Sequence, residues 1–243
     1  MHLSQRRAEA LLALLAVAGD LGCSRDRVLA LLWPEADEAH ARHNLRDVLH
    51  AIRTGLGHDA VLSSADRLRL DASAVTCDVE QFAAALTASH LAAGVATYRG
   101  PLLDGFHVAD APEFEQWMDE ERGRLVRECQ GAIKRLAKTA EREGRWDEAA
   151  EWWGRAVGLD RYNSRFVARR IVALARGGDR ANAIKEGEAH CQLLKTELEL
   201  DPDAAFLEEL DRIRGGTWPA RYFTPPTAHL PPGTSHPPGT DKP

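Results

Sequence analysis

Residues Ala140 to Ala149 and Leu174 to Ala183 superpose at an offset of 34, with Gly144 on Gly178 and Ala149 on Ala183. A period of about 34 residues suits one stacked helical hairpin, in which the glycine takes the turn and the small residue lets two antiparallel helices approach closely. The apolar spacing agrees: Trp146, Ala149, Ala150, Trp153, Ala156 and Val157 recur on one helical face. A long amphipathic helix precedes the repeat and carries Phe114, Trp117, Met118, Leu125, Cys129, Ile133 and Leu136.

From 79 to 214 the pattern is helical throughout, which predicts a tetratricopeptide-like α-helical repeat domain. From 215 to 243 it collapses. Eight of the chain's twelve prolines fall there, with too little apolar area to offset the entropy of ordering. That segment is expected to be a disordered, Pro/Gly-rich tail, either a tether or a plain solvated end.

Residues 1–78 read differently: helix, helix, longer helix, then short extended pieces. Ala8, Leu11, Leu12, Leu14 and Leu15 give a first helix ending at Gly19. Ser24 is a good N-cap for a second helix with Val28, Leu29, Leu31 and Leu32, and Pro34 bars its continuation. Glu35, Ala36 and Asp37 open a third, whose apolar set is Ala41, Leu45, Val48, Leu49, Ile52 and Leu56, with Gly57 at its end. Val61 to Ser63 and Arg67 to Leu70 then read as two strands about a tight turn, Arg67 and Arg69 sharing one face. The expected order is that of a winged helix-turn-helix.

Composition narrows the function. The 243 residues are 44% hydrophobic and 28% charged, with no apolar run near the roughly 20 residues that a bilayer span requires. The basic start, Arg6 and Arg7 before a short apolar stretch, is followed by a second amphipathic segment, which argues against a secretory signal. Cysteines 23, 77, 129 and 191 form no close pair, so they read as reduced, mostly buried thiols of a cytoplasmic protein. A net charge of −6 argues against indiscriminate coating of nucleic acid. A specific DNA binder survives if its basic residues share a face.

The third helix supplies such a face. Measured from Leu45, Arg42, Arg53 and Arg46 lie at about 60°, about 80° and about 100°, and His50 and His43 at about 140° and about 160°. The apolar set clusters about Leu45, and only Asp47 dilutes the basic side. A helix so divided can rest on two others while its front enters a major groove. The plainer alternative is a solvated surface helix. The two-strand element that follows, with Arg67 and Arg69, favours DNA, since a hairpin in that place touches backbone phosphate.

Catalytic patterns are poor. Phosphate-loop, dinucleotide and nucleophile-elbow motifs are absent from the sequence. Glu113, Glu115, Asp119, Glu120 and Glu121 read as a solvated face rather than a catalytic pair. His190 and Cys191 point about 100° apart on a helix, which suits neither a shared metal nor a nucleophile and its base. Cys191 is expected in the core and His190 at its edge. Trp152, beside the core Trp153, either packs against the next hairpin or marks a partner surface.

These residues resemble a known family. Ser24 to Pro34, Ala41 to Leu45 and Ile52-Arg53 are similar to the second and third helices of the DNA-binding domain in response-regulator type activators. Tyr98 to Phe106, Glu113 to Trp117, Glu121-Arg122 and Leu198 to Pro202 are similar to the bacterial transcriptional activator domain. Together they resemble the Streptomyces-antibiotic-regulatory-protein (SARP) type of transcription activator over residues 6 to 214.

The resemblance implies a transcription regulator without catalytic activity. Its winged helix would bind double-stranded promoter DNA as paired protomers on repeated half-sites. Its helical repeats would contact RNA polymerase or a second protomer. By position, Arg42, Asn44, Arg46, His50, Arg53, Arg67 and Arg69 become DNA-facing candidates beside His43. No cofactor, metal or membrane is implied. The alternative is a protein-interaction adaptor whose winged helix is degenerate.

Three departures bear on this. Family members usually carry a small sheet before the first helix, whereas this chain begins almost inside that helix. Thr54 stands where a second basic residue is common. The first 78 residues hold nine arginines against eleven acids, so affinity would have to come from local geometry.

Overall fold

The computed structural model describes residues 2–57 and 60–216. The expected tail, beyond Gly216, lies outside them; Gly215 itself closes the last helix. The elements are α1 (His2–Ala18), a short 3-10 turn (Gly19–Leu21), β1 (Cys23–Ser24), α2 (Arg25–Leu32), α3 (Glu38–Leu56), β2 (Val61–Ser63) and β3 (Arg67–Leu70). There follow α4 (Asp78–Thr87), α5 (Leu91–Thr97), α6 (Pro112–Arg142), α7 (Trp146–Leu159), α8 (Ser164–Arg176), α9 (Arg180–Glu197) and α10 (Ala204–Gly215).

The local signals act as read. The Ser24 hydroxyl accepts from Arg27 N, and an Asp37 carboxylate oxygen accepts from His40 N at 3.0 Å, so α3 starts at Glu38. Gly57, at φ 107°, ends it. In the repeat, Gly144 and Gly178 adopt φ 71° and 97° in the α6–α7 and α8–α9 turns, and Ala149 and Ala183 are wholly buried.

One strand was not expected. β1 pairs antiparallel with β3, Cys23 opposite Leu68 and Ser24 opposite Arg67, and makes a three-stranded sheet in the order β1-β3-β2. Gly22 permits it: φ is +60°, and a Cβ there would lie 2.5 Å from the Leu68 carbonyl oxygen. β1 is the strand that braces the hairpin.

Residues 79 to 214 are not helical throughout. Positions 98–111 form an irregular loop, with Leu103, Gly105 and Asp110 at positive φ. Arg122 of α6 holds it, donating to the Leu102 and Leu103 carbonyls at 2.7 and 2.6 Å. On the other side Arg6 and Arg7 of α1 donate to the His107 and Ala109 carbonyls.

The first core joins Leu11 and Leu15 of α1, Val28 and Leu32 of α2, and the inner face of α3 to Phe114, Trp117 and Met118 at the start of α6. It therefore draws on residues from both sides of position 78. A second core runs from Phe82 through Cys129 and Ile133 to Trp153 and Phe166, and a third joins Ile171, Ala183, Phe206 and Leu210. Burial pushes the Cys129 thiol up to about 11. Cys23 is also buried, Cys77 and Cys191 are half-buried, and all four are free.

The expected places of His190 and Cys191 are exchanged. His190 is 4% exposed, while Cys191 is half-buried. A polar ring sits inside because it is satisfied there: Nε2 lies 2.9 Å from Ser164 Oγ, and the Arg161 backbone supplies a second hydrogen bond. The pair ties α9 to the first turn of α8. Burial, foremost, holds the ring below its ordinary pKa of 6.5, against that backbone bond and the Asp203 carboxylate.

Candidate nucleic-acid interface

Helix α3 divides as its periodicity predicts. Leu45, Val48, Leu49 and Ile52 are buried, while Arg42, His43, Arg46 and His50 are exposed. Asn44 and Arg53 are half-buried. Four arginine and histidine side chains therefore share the outer surface of one rigid helix.

Their partners differ. Arg42 forms an ion pair with Glu38 one turn back, and His43 Nε2 lies 3.5 Å from Asp47. Arg46 and His50 make no side-chain hydrogen bond or ion pair among the described residues, which leaves the Arg46 guanidinium and the His50 ring open to an outside partner. Arg53 Nη2 donates to Ser63 Oγ at 2.9 Å and to the Val61 carbonyl at 3.5 Å, pinning the hairpin to the end of α3.

On the hairpin, Arg67 and Arg69 share a face as expected, yet Arg67 turns back on its own fold. Its Nε and Nη2 donate to the Leu21 carbonyl at 3.0 and 2.7 Å, and Nη2 also reaches the Gly22 carbonyl at 2.9 Å. Pairing of β1 with β3 brings those carbonyls beside it. Arg69 stays half-exposed, 3.9 Å from Asp20.

Sequence reasoning missed Arg25. It opens α2 behind the Ser24 cap, and its backbone N–H donates to the Asp66 carbonyl at 2.8 Å, locking that helix start to the hairpin turn. Arg25, Arg42 and Arg46 line a cleft of about 670 Å³ between α2, α3 and the turn. Three guanidiniums beside a helix N-terminus favour an anionic ligand. Asp26 and Asp66, in the same cleft, moderate that field. The signal for Arg25 was the Ser24 cap itself, which marks the residues of the first turn.

The remaining candidates have structural partners. Trp152 is half-buried on the flank of α7, its Nε1 donating to Glu148 at 3.1 Å and the Arg155 guanidinium lying over its ring. Glu115 accepts from Val108 N at 2.7 Å, and Asp119 and Glu121 pair with Arg122 and Arg124. No group of three or more His, Cys, Asp or Glu side chains among the described residues could hold a metal ion.

A head of three helices and a small sheet exposes a basic helix face and is followed by stacked helical hairpins. Residues 65–214 match the bacterial transcriptional activator domain, and the chain belongs to that family. Among solved structures it is similar to Mycobacterium tuberculosis EmbR in complex with a low-affinity phosphopeptide. The TM-score is 0.61 at 21% identity, over 87% of this chain and 59% of that one. At that identity the likeness is one of fold. No curated protein matches the sequence. None of the described helices is long and apolar enough to cross a membrane.

Proposed function

We propose that this protein is a cytoplasmic, non-enzymatic, DNA-binding transcription regulator, built as a winged-helix head (1–78) on a helical-repeat body (79–214). α3 enters the major groove of promoter DNA. Arg46 and His50, flanked by Arg42, His43 and Asn44, face base edges and phosphates, while Arg25 and Arg69 meet the backbone. Two protomers sit on repeated half-sites, and the repeats contact RNA polymerase or the second protomer.

The observation that carries this reading is the contrast on α3 between side chains left open and one that is committed. Arg46 and His50 are outward and unpartnered among the described residues, whereas Arg53 is used to fix the hairpin beside them. A preorganised basic surface is what groove recognition requires; one good bidentate base contact is worth about 1–3 kcal/mol.

The test is binding of the purified chain to its own upstream intergenic DNA against scrambled competitor, across a salt series, beside Arg46→Ala/His50→Ala. Specific binding with a log–log salt slope of about −0.9 per phosphate neutralised, lost in the variant, is expected. The adaptor reading draws on the pairing of Arg42 with Glu38 and of Arg67 with the Leu21 carbonyl. Absence of any specific DNA binding would favour it.

A further inference from the structure

The C-terminal end of the repeats carries two surfaces that complement one another. The first is a cleft of about 540 Å³ between α8 and α10. Arg165, Arg169, Val172 and Arg176 follow one another at helical spacing along its α8 wall, and Arg212 faces them from α10. Ala168 and Phe206 add an apolar lining. Arg165 is exposed and has no hydrogen bond or ion pair among the described residues; Arg169 and Arg212 are matched to Glu141 and Glu209.

The second surface is the segment joining α9 to α10, where acid and leucine alternate as Glu197, Leu198, Glu199, Leu200, Asp201. Leu198 and Leu200 are 42% and 57% exposed. With Tyr162 and Leu207 they make up four of the six large exposed hydrophobics among the described residues. Exposed apolar side chains gathered together mark an interaction surface, and the bond of the Tyr162 hydroxyl to Glu197 puts that ring beside the segment. Glu197 is held by Arg161 and the Tyr162 hydroxyl, but Glu199 and Asp201 have no partner among the described residues, and Glu199 adopts φ 56°.

We propose that two copies of this chain pair through this end, the Glu199–Asp201 segment of each lying in the α8/α10 cleft of the other. The carboxylates of Glu199 and Asp201 meet Arg165 and its neighbours, and Leu200 covers the apolar lining beside Val172. The geometry suits a two-fold contact because segment and cleft adjoin: the segment runs directly into Asp203 and Ala205, which line the cleft. A surface that carries both halves of a complementary pair side by side can close on itself as a dimer. Asp203 and Glu209 also stand in the cleft and oppose any anion, so a segment whose acids alternate with leucines, and which brings Leu200 to the apolar lining, suits it better than the uniformly charged phosphates of DNA. This pairing rests on the two-protomer part of the proposed function and is independent of what α3 binds.

The test is sedimentation equilibrium of the full chain at micromolar concentration for wild type, Arg165→Glu, Glu199→Arg and an equimolar mixture of the two variants. Both substituted side chains are exposed, and thermal melting confirms folding. Wild type should be a dimer, and each variant alone should dissociate at least about tenfold more readily, a loss of about 1.4 kcal/mol. The mixture should recover the dimer, because in the mixed pair one contact is native and the other has its charges swapped. A wild type that stays monomeric, variants that still pair, or folded variants that fail to recover on mixing would each overturn the proposal. Binding of the same variants to the upstream DNA, read in parallel, separates its failure from failure of the DNA reading. If the cleft arginines prove to bind the duplex instead, the cleft is a DNA surface and the pairing is wrong.

Discussion

Arg67 and Leu21 lie 46 residues apart and are joined by two hydrogen bonds, the guanidinium donating to one carbonyl through both Nε and Nη2. An arginine that its strand position led one to expect at phosphate is instead a brace between the hairpin and the turn after α1. Arg67→Ala is expected to lower stability by about 1 kcal/mol, the scale of such bonds at a solvated position. Arg67→Lys should recover little, since an ammonium cannot reproduce the fork. Urea unfolding measures both. An unchanged midpoint combined with a shallower salt dependence of DNA binding would return Arg67 to the phosphate-contacting set.

Glu38 holds Arg42 across one turn of α3, and both side chains are largely exposed, at 72% and 62%. Such a pair contributes only about 0.3–0.5 kcal/mol to the helix. Glu38→Gln should therefore leave the fold intact while freeing a guanidinium on the surface proposed to meet DNA. DNA binding at low salt is expected to tighten about twofold or more, with a steeper salt slope. Anisotropy titrations at matched ionic strength provide the check. Weaker binding would mean that Glu38 orients Arg42 for its contact.

What the sequence revealed and what it hid follow one physical division. The faces of α3, the hairpin turn and the 34-residue repeat were legible because each is written in local spacing, one side buried and the other not. β1 was not: a two-residue strand, Cys23–Ser24, looks no different from the approach to an N-cap, and its partner Leu68 is remote in the chain. The role of Arg67 was hidden for the same reason, since the carbonyls it holds arrive only with that strand. His190 was placed wrongly because hydrophobicity assigns a histidine to the edge of a core. Its burial depends on Ser164 and the Arg161 backbone from another helix. The 98–111 loop did leave a local sign in Gly100-Pro101, but the amphipathic runs on either side masked it.

Gly22 leads directly into β1 where that strand pairs with β3, at φ +60° with the Leu68 carbonyl oxygen 2.5 Å from where a Cβ would lie. Gly22→Ala combines a strained backbone with a clash against main chain, which cannot rotate away. A cost of about 1–3 kcal/mol is expected, and more if the strand separates. Amide exchange should then show faster opening of Leu68 and Arg67 while the repeat helices keep their protection. Equal loosening of α8 and α9 would mean that head and body unfold as one unit.

His190 makes the body sensitive to acid. Its folded-state pKa is lowered by burial from an ordinary 6.5, so as the pH falls the unfolded chain takes up the proton first. The stability that the neutral ring contributes is complete above pH 6.5, declines as the pH drops below that value, and is gone once the folded ring also titrates. Carboxylates titrate lower still, so a melting series from pH 7.5 to about 5.5 reports on the histidines, and the variant at 190 singles out this one. Wild type should lose melting temperature steadily across that span. His190→Gln, which keeps a donor and an acceptor but cannot charge, should melt lower at neutral pH and show a flatter series. Ser164→Ala should retain the pH dependence, because the ring stays buried, while melting lower throughout. If His190→Gln follows the wild-type slope, another group is responsible, and the Ser164–His190 contact between α8 and α9 has no part in the acid response.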